Sequence, residues 1–129
     1  MRIFLFIGVF LFSACSKDAG IGGFAEVSGV VWVEDWNASF TAIQSTYPGM
    51  DEDVFLVFGD ELVVGEDTKT NFNGNYRFQF LYPGKYKLYA YSDRLETVGN
   101  TNQQEPVIIE FEITEKYQKL QLDTLVVKR

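Results

Sequence analysis

Apolar and polar residues alternate along most of the chain from Glu26 onward. Successive side chains of a strand point to opposite faces of a sheet, so a period of two predicts β-strands rather than helices. Together with a short apolar run at 54–58, the pattern predicts about seven strands and no convincing helix. The alternating segments are 27–33, 76–80, 86–91, 107–113 and 120–127.

Two pairs of turn-forming residues separate predicted strands. Asn73-Gly74 favours a two-residue type I′ hairpin, in which both residues need a positive φ. Pro83-Gly84 favours a type II turn between the strands on either side of it. Short strands with regularly spaced turns predict an all-β fold, a two-sheet Greek-key sandwich of about seven antiparallel strands.

The alternation also predicts which side chains face the core. Tyr89 and Tyr91 lie at positions of opposite parity to Leu88 and Ala90, so we expect both tyrosines on the outer face of their sheet. The predicted inward-facing residues are Val31, Val33, Phe55, Val57, Tyr76, Phe78, Phe80, Tyr86, Leu88, Ile109, Phe111, Leu120 and Leu122.

The first fifteen residues have the layout of an export signal. One arginine precedes ten apolar residues at 3–12, a run too short to span a bilayer comfortably, and Ser13-Ala14-Cys15 follows. This end resembles the lipobox of bacterial lipoproteins. The resemblance implies cleavage before Cys15, lipidation of Cys15 and attachment to the bacterial outer membrane.

This interpretation divides the chain into three parts. Residues 1–14 form the lipoprotein signal peptide, residues 15–23 the lipidated cysteine with a flexible tether, and residues 24–129 the β-sandwich domain. The tether is predicted from three glycines and a serine in SKDAGIGG.

Composition excludes several kinds of chemistry. The chain has no histidine and one cysteine, which removes His-dependent catalysis, His-ligated metals and intrachain disulfides. Its formal net charge of −7 argues against a nucleic-acid partner. We therefore expect no catalytic residues and no cofactor.

The segment 68–91 resembles the carboxypeptidase-regulatory-like, or transthyretin-like, β-sandwich domains. The features that carry this likeness are Thr70, the Asn73-Gly74 turn, the aromatic strand at 76–78, Leu81 with Pro83-Gly84, and the strand at 86–88. The resemblance implies a non-enzymatic accessory, scaffolding or binding module. It departs from the family at 34–53, where about twenty residues replace a short turn between the first two strands.

This insertion supplies two candidate binding residues, Trp36 and Tyr47, because long loops in compact domains are often functional. With the outward-facing Tyr89 and Tyr91 they form the predicted ligand-binding set. Aromatic residues of this kind are enriched at binding surfaces.

A cluster of acidic residues raises the question of a metal. Calcium takes six to eight oxygen ligands, and Asp51, Asp53, Asp60 and Asp67 are its candidate ligands here. Their spacing matches no calcium-binding loop, so a solvated acidic surface is the alternative.

The sequence thus predicts a non-enzymatic, lipid-anchored module of the cell envelope with a role in adhesion or as a subunit of a complex. Its expected partners are the membrane, through the anchor, and an envelope protein or glycan. The alternative is a surface lipoprotein that binds carbohydrate or peptide through the insertion and the exposed tyrosines.

Overall fold

Nine β-strands in two sheets account for most of the residues that the computed structural model describes, 19–93 and 104–129. No helix in these two ranges is long and apolar enough to cross a membrane. The strands are β1 (Ile21–Trp36), β2 (Ile43–Pro48), β3 (Asp53–Phe58), β4 (Glu66–Lys69), β5 (Asn75–Leu81), β6 (Gly84–Asp93), β7 (Gln104–Ile113), β8 (Lys119–Gln121) and β9 (Leu125–Lys128).

The long strand β1 organises the five-stranded sheet. Strands β5 and β2 pair antiparallel with its first and second halves along one side. Strands β8 and β9 pair with successive parts of its other side and run parallel to it. The all-β sandwich prediction is confirmed. The structure has nine strands where about seven antiparallel ones are predicted, and β8 and β9 run parallel to β1 because each edge of this long strand is covered by two shorter ones.

The second sheet has four strands in the order β4-β3-β6-β7, all antiparallel. Its longest ladder joins β6 to β7 over ten residue pairs, from Gly84 opposite Ile113 to Asp93 opposite Gln104. The β6–β7 ladder therefore runs the whole length of β6.

The predicted hairpin at Asn73-Gly74 and the predicted turn at Pro83-Gly84 are both connections between the two sheets, since β4 and β6 belong to one sheet and β5 to the other. At the first connection, the Gly74 N–H bonds to the Asn71 carbonyl, and of Asn73 and Gly74 only Gly74 has a positive φ, 76°. A type I′ turn is thus excluded. The chain passes from one sheet to the other before and after β5, because β5 pairs with β1 and not with β4 or β6.

The core lies between the two sheets, and seven of the thirteen predicted residues are buried. Ile109, Phe111, Leu120 and Leu122 are only partly buried and pack against its border. On β3 the prediction is wrong for Phe55, which points outward while Val54 and Leu56 point into the core. Val57 is buried, as predicted. Every residue at 54–58 is apolar, so alternation by itself could not identify the inner face. The buried core residues are Ala25, Val27, Val31, Val33, Val54, Leu56, Tyr76, Phe78, Leu81, Tyr86, Leu88, Ala90, Ile113, Leu125 and Val127.

Phe80 is a second correction to the predicted core. Its parity with Tyr76 and Phe78 predicts burial, but it is 62% exposed. The backbone of Phe80 has a φ of 60°, which interrupts the alternation, so that Leu81 is buried in its place. The pairing of β5 with β1 is irregular at the same point, where both Ile21 and Ala25 face Leu81.

The last three residues of the predicted tether, 21–23, belong to the sandwich, because β1 begins at Ile21 and Gly23 is buried. A side chain on Gly23 would overlap the backbone of Leu81, and one on Gly22 would overlap the ring of Tyr82. These glycines permit close packing rather than flexibility. The sandwich therefore begins before residue 24, the predicted boundary.

Candidate functional site

Three aromatic side chains meet on the outer face of the four-stranded sheet. Phe55 of β3 lies directly opposite Tyr89 of β6, and Tyr91 lies two residues further along β6 on the same face. We call Phe55, Tyr89 and Tyr91 the aromatic platform. The structure confirms the predicted outward direction of both tyrosines and adds Phe55, for which the sequence pattern predicts burial in the core.

The three rings touch one another. Phe55 and Tyr89 are stacked, with ring centroids 5.1 Å apart and planes inclined at 26°. Tyr91 presents its ring at a steep angle to both, 5.8 Å from Phe55 and 5.5 Å from Tyr89. Stacked and edge-to-face contacts are the geometries that aromatic pairs prefer. The platform is therefore a cohesive surface whose rings support one another.

The platform is open to solvent on its outer side. Tyr91 is 40% exposed, and Ile108 of β7, which lies opposite Tyr89, is 53% exposed. Partial burial raises the pKa of Tyr89, and the neighbouring Tyr91 hydroxyl raises it further. The Tyr89 phenol is consequently neutral at physiological pH and available as both donor and acceptor.

Charged residues continue the same face toward one end of the sheet. Lys87 lies opposite Glu110, and Lys85 lies opposite Glu112. Both pairs lie on the same face of the sheet as Tyr89, because side chains two residues apart on a strand point the same way. The platform thus passes into a polar surface of alternating sign that has hydrogen-bonding groups for a ligand.

Trp36 and Tyr47, the other two predicted binding residues, belong to the five-stranded sheet. The segment 34–53 is mostly a hairpin of β1 and β2 rather than a loop, and Tyr47 pairs with Val33 there. Tyr47 is 44% exposed, whereas the Trp36 indole N–H is buried without a hydrogen-bond partner among the described residues. Of the four predicted binding residues, the structure therefore brings together only Tyr89 and Tyr91.

The four calcium candidates do not converge. Asp51 and Asp53 lie near the ammonium of Lys69, at 3.9 and 3.3 Å, and they raise its pKa, chiefly through a hydrogen bond from Lys69 to Asp53. Asp60 lies past the opposite end of β3 from Asp53, and Asp67 pairs with Phe55. Within 19–93 and 104–129, no group of three or more acidic or thiol side chains is placed to hold a metal ion.

The predicted lipidation site, Cys15, lies outside the described residues, as does the signal peptide at 1–14.

Phe55 is the platform residue that sequence reasoning missed. An uninterrupted apolar strand such as β3 has an apolar outer face as well as an inner one. The sequence indicates only that β3 has an apolar outer face. That Phe55 shares this face with Tyr89 depends on the pairing register of β3 with β6.

Comparison with known proteins gives a likeness of fold. No protein-family model matches the chain, and no curated protein matches it. A crystal structure from Pseudomonas aeruginosa, described as a "putative carbohydrate binding protein", has a TM-score of 0.50 at 15% sequence identity. The alignment covers 90% of this chain and 93% of that one. (S)-allantoin synthase follows at a TM-score of 0.45 and 13% identity, over 79% of this chain and 41% of that chain, a similarity too low to support an argument. The Pseudomonas protein thus shares the all-β sandwich across nearly its whole length.

Proposed function

We propose that this protein is a non-enzymatic glycan-binding module of the bacterial cell envelope and that the aromatic platform is its binding surface. The observation that carries the proposal is the mutual contact of three aromatic rings on an open sheet face. Large apolar surfaces left exposed on a small domain are commonly binding sites.

The chemistry of the platform suits sugar rings. The C–H face of a pyranose is apolar and packs on an aromatic face, while its equatorial hydroxyl groups need hydrogen-bond partners. Tyr89 and Tyr91 offer both surfaces, and the lysine–glutamate pairs beside them offer further polar groups. An open sheet face accommodates an extended chain of sugars better than a single small molecule, which would need an enclosing pocket.

The fold comparison lends the proposal its other support. The Pseudomonas protein, described as a "putative carbohydrate binding protein", shares the sandwich fold over 93% of its own chain. A transthyretin-like origin and attachment to the outer membrane through Cys15 belong to the same proposal. They rest on the motifs at 68–91 and 11–15.

The test is binding to a panel of soluble polysaccharides by affinity electrophoresis, followed by titration calorimetry with the glycan retained most strongly. We expect Phe55→Ala, Tyr89→Ala and Tyr91→Ala each to weaken binding by about tenfold, as truncation of a central binding residue commonly does. Phe72→Ala is the matched control, since Phe72 is 83% exposed and lies in the turn before β5. Equal affinity of the platform variants and the wild-type protein would refute the assignment.

A protein partner is the second candidate, and the charges beside the platform favour it. Aromatic residues at the centre and charged residues at the border are typical of protein–protein interfaces. Photo-crosslinking from position 89 in intact cells distinguishes the two functions. A discrete crosslinked protein that competes with glycan binding would support the protein-contact function.

A further inference from the structure

One end of the sandwich is where the chain enters it from the N-terminal side. The Gly20 N–H donates to the Tyr86 hydroxyl at 3.0 Å, and the Gly20 carbonyl accepts from the Tyr82 N–H at 2.8 Å. We call this region the entry end. The connections at 59–65, 82–83 and 114–118 lie at this same end, because Phe58 pairs with Tyr86, Leu81 with Ile21 and Ile113 with Gly84.

The entry end has an unusual number of exposed apolar side chains. Leu62, Val63 and Val64, in the connection between β3 and β4, are 100%, 68% and 43% exposed. Phe24 and Tyr117 are 60% and 67% exposed. A solvated loop does not need three consecutive aliphatic residues, so this concentration suggests a surface that meets something apolar.

Phe24 and Tyr117 form a cluster with a lysine. Their ring centroids are 5.4 Å apart, and the Lys116 ammonium lies 5.2 Å from the first ring and 5.4 Å from the second. Beside them is an open cleft of about 580 Å³, whose lining includes Tyr82 and Ile113. Aromatic rings and lysines with long apolar stems are the residues that occupy the boundary between lipid and water.

Phe80 adds an aromatic ring near the same end. Its φ of 60° is unfavourable for a bulky residue, and it turns the ring out to solvent at 62% exposure. A strained backbone that exposes an apolar side chain is a reason to look for a function there.

We propose that the entry end lies on the surface of the lipid bilayer, with Phe24, Phe80, Tyr117 and the 62–64 loop in contact with the interface. The proposal rests on the lipid anchor at Cys15 in the proposed function. Four residue steps separate Cys15 from Ala19, which spans at most about 14 Å. Because Gly20 is hydrogen-bonded at the entry end, so short a connection turns that end toward the membrane.

This orientation has a consequence for the aromatic platform. Strand β6 begins at the entry end with Gly84 and runs away from it past Tyr89 and Tyr91. At about 3.3 Å per residue the platform would stand about 17–23 Å from the bilayer and face sideways. A glycan chain lying along the membrane could then reach it.

The attraction is expected to be apolar rather than electrostatic. The chain has a formal net charge of −7, and Asp60, Glu61, Glu112 and Glu115 lie in or beside the connections of the entry end. An anionic lipid surface would repel these groups. We therefore expect docking on neutral phosphatidylcholine vesicles, with little change between 50 mM and 500 mM salt.

The experiment measures the depth of two labels on the full-length lipidated protein. Acylation would occupy Cys15, the only native cysteine, so Leu62→Cys and Phe72→Cys can each be labelled singly with an environment-sensitive fluorophore. Phe72 lies at the far end of β5 from the entry end. In vesicles containing bromine-labelled lipid, we expect at least twofold quenching at position 62 and none at position 72.

Two further measurements separate docking from anchoring. The Phe24→Ser/Tyr117→Ser variant should reduce quenching at position 62 while the protein still floats with the vesicles. Flotation without quenching at 62 would overturn the docking proposal and leave the anchor intact. A protein that does not float would overturn both. A label at 62 that is equally shielded in the unacylated protein, without lipid or detergent, would assign the surface to a second copy. Glycan binding is measured separately, so its failure is distinguishable from either result.

Discussion

The guanidinium of Arg129 joins the two sheets by donating to the Glu52 carboxylate at 2.5 Å. Arg129 follows β9 of the five-stranded sheet, and Glu52 immediately precedes β3 of the four-stranded sheet. The same guanidinium donates to the Tyr91 carbonyl at 2.9 Å, so the contact extends to the backbone of the aromatic platform. Both charged side chains are largely buried, at 28% and 20% exposure.

Removing either partner of this pair should destabilise the protein. We expect Arg129→Met and Glu52→Gln each to lower the free energy of unfolding by about 1–3 kcal/mol, since each leaves a largely buried charged group without its oppositely charged partner. The double variant should lose less than the sum of the two, with a coupling of about 0.5–3 kcal/mol. Urea denaturation of all four proteins measures this, and strict additivity would contradict it.

The Thr70 hydroxyl joins the start of the β4–β5 connection to the segment between β2 and β3, and its loss should destabilise the protein. This buried residue donates from its hydroxyl to the Gly49 carbonyl and accepts from the Glu52 N–H at 2.8 Å. Thr70→Val keeps the shape but leaves both backbone groups unpaired, so we expect a loss of about 1–3 kcal/mol in unfolding free energy. Thr68→Val, a half-buried position on β4, is the control and should change stability by less than about 0.5 kcal/mol.

Tyr76 should make the protein sensitive to alkaline pH. Its hydroxyl is buried without a hydrogen-bond partner among the described residues, and burial raises the pKa of Tyr76 to about 12. The unfolded chain ionises this phenol above about pH 10, whereas the folded protein keeps it neutral until about pH 12. The stabilising contribution is therefore complete below pH 10 and is lost as the pH rises through that interval.

Replacing this tyrosine tests the assignment. Tyr76→Phe should be neutral or slightly stabilising at pH 7, because no hydrogen bond is lost. Between pH 8 and pH 11 the wild-type protein should lose about 1.4 kcal/mol more than the variant does. Urea denaturation at the two pH values gives the difference, with the exposed Tyr117→Phe as the control. An equal pH dependence in wild type and Tyr76→Phe would show that the buried phenol is not responsible.

A substitution at Gly23 tests whether the glycines of the predicted tether serve close packing or flexibility. A β-carbon there would lie 2.6 Å from the carbonyl carbon of Leu81 and 2.7 Å from the backbone nitrogen of Tyr82. Backbone atoms in a paired strand cannot move aside cheaply, so Gly23→Ala should cost about 2–3 kcal/mol. Gly59→Ala is the comparison, because it meets no neighbouring atom and has only a φ of 56° to accommodate. We expect it to cost about 1 kcal/mol. A neutral Gly23→Ala in thermal unfolding would restore the flexible tether.

The sequence by itself determined the class of the fold and the outward direction of Tyr89 and Tyr91. Both follow from the period-two pattern, because successive side chains of a strand alternate between faces whatever the strand pairs with. It also predicted that Pro83-Gly84 and Asn73-Gly74 end strands, since these residues favour turns locally.

Only the tertiary structure decided which strands pair and which face of an all-apolar strand points inward. Phe55 became part of the aromatic platform because β3 pairs with β6 and opposes it to Tyr89, a contact between residues 34 positions apart. Trp36 and Tyr47 were separated from that surface because the 34–53 segment extends the other sheet. Phe80 was turned outward by one backbone angle that alternation does not encode. Local preferences determine where strands begin and end, whereas partner and face depend on long-range packing that a one-dimensional pattern does not contain.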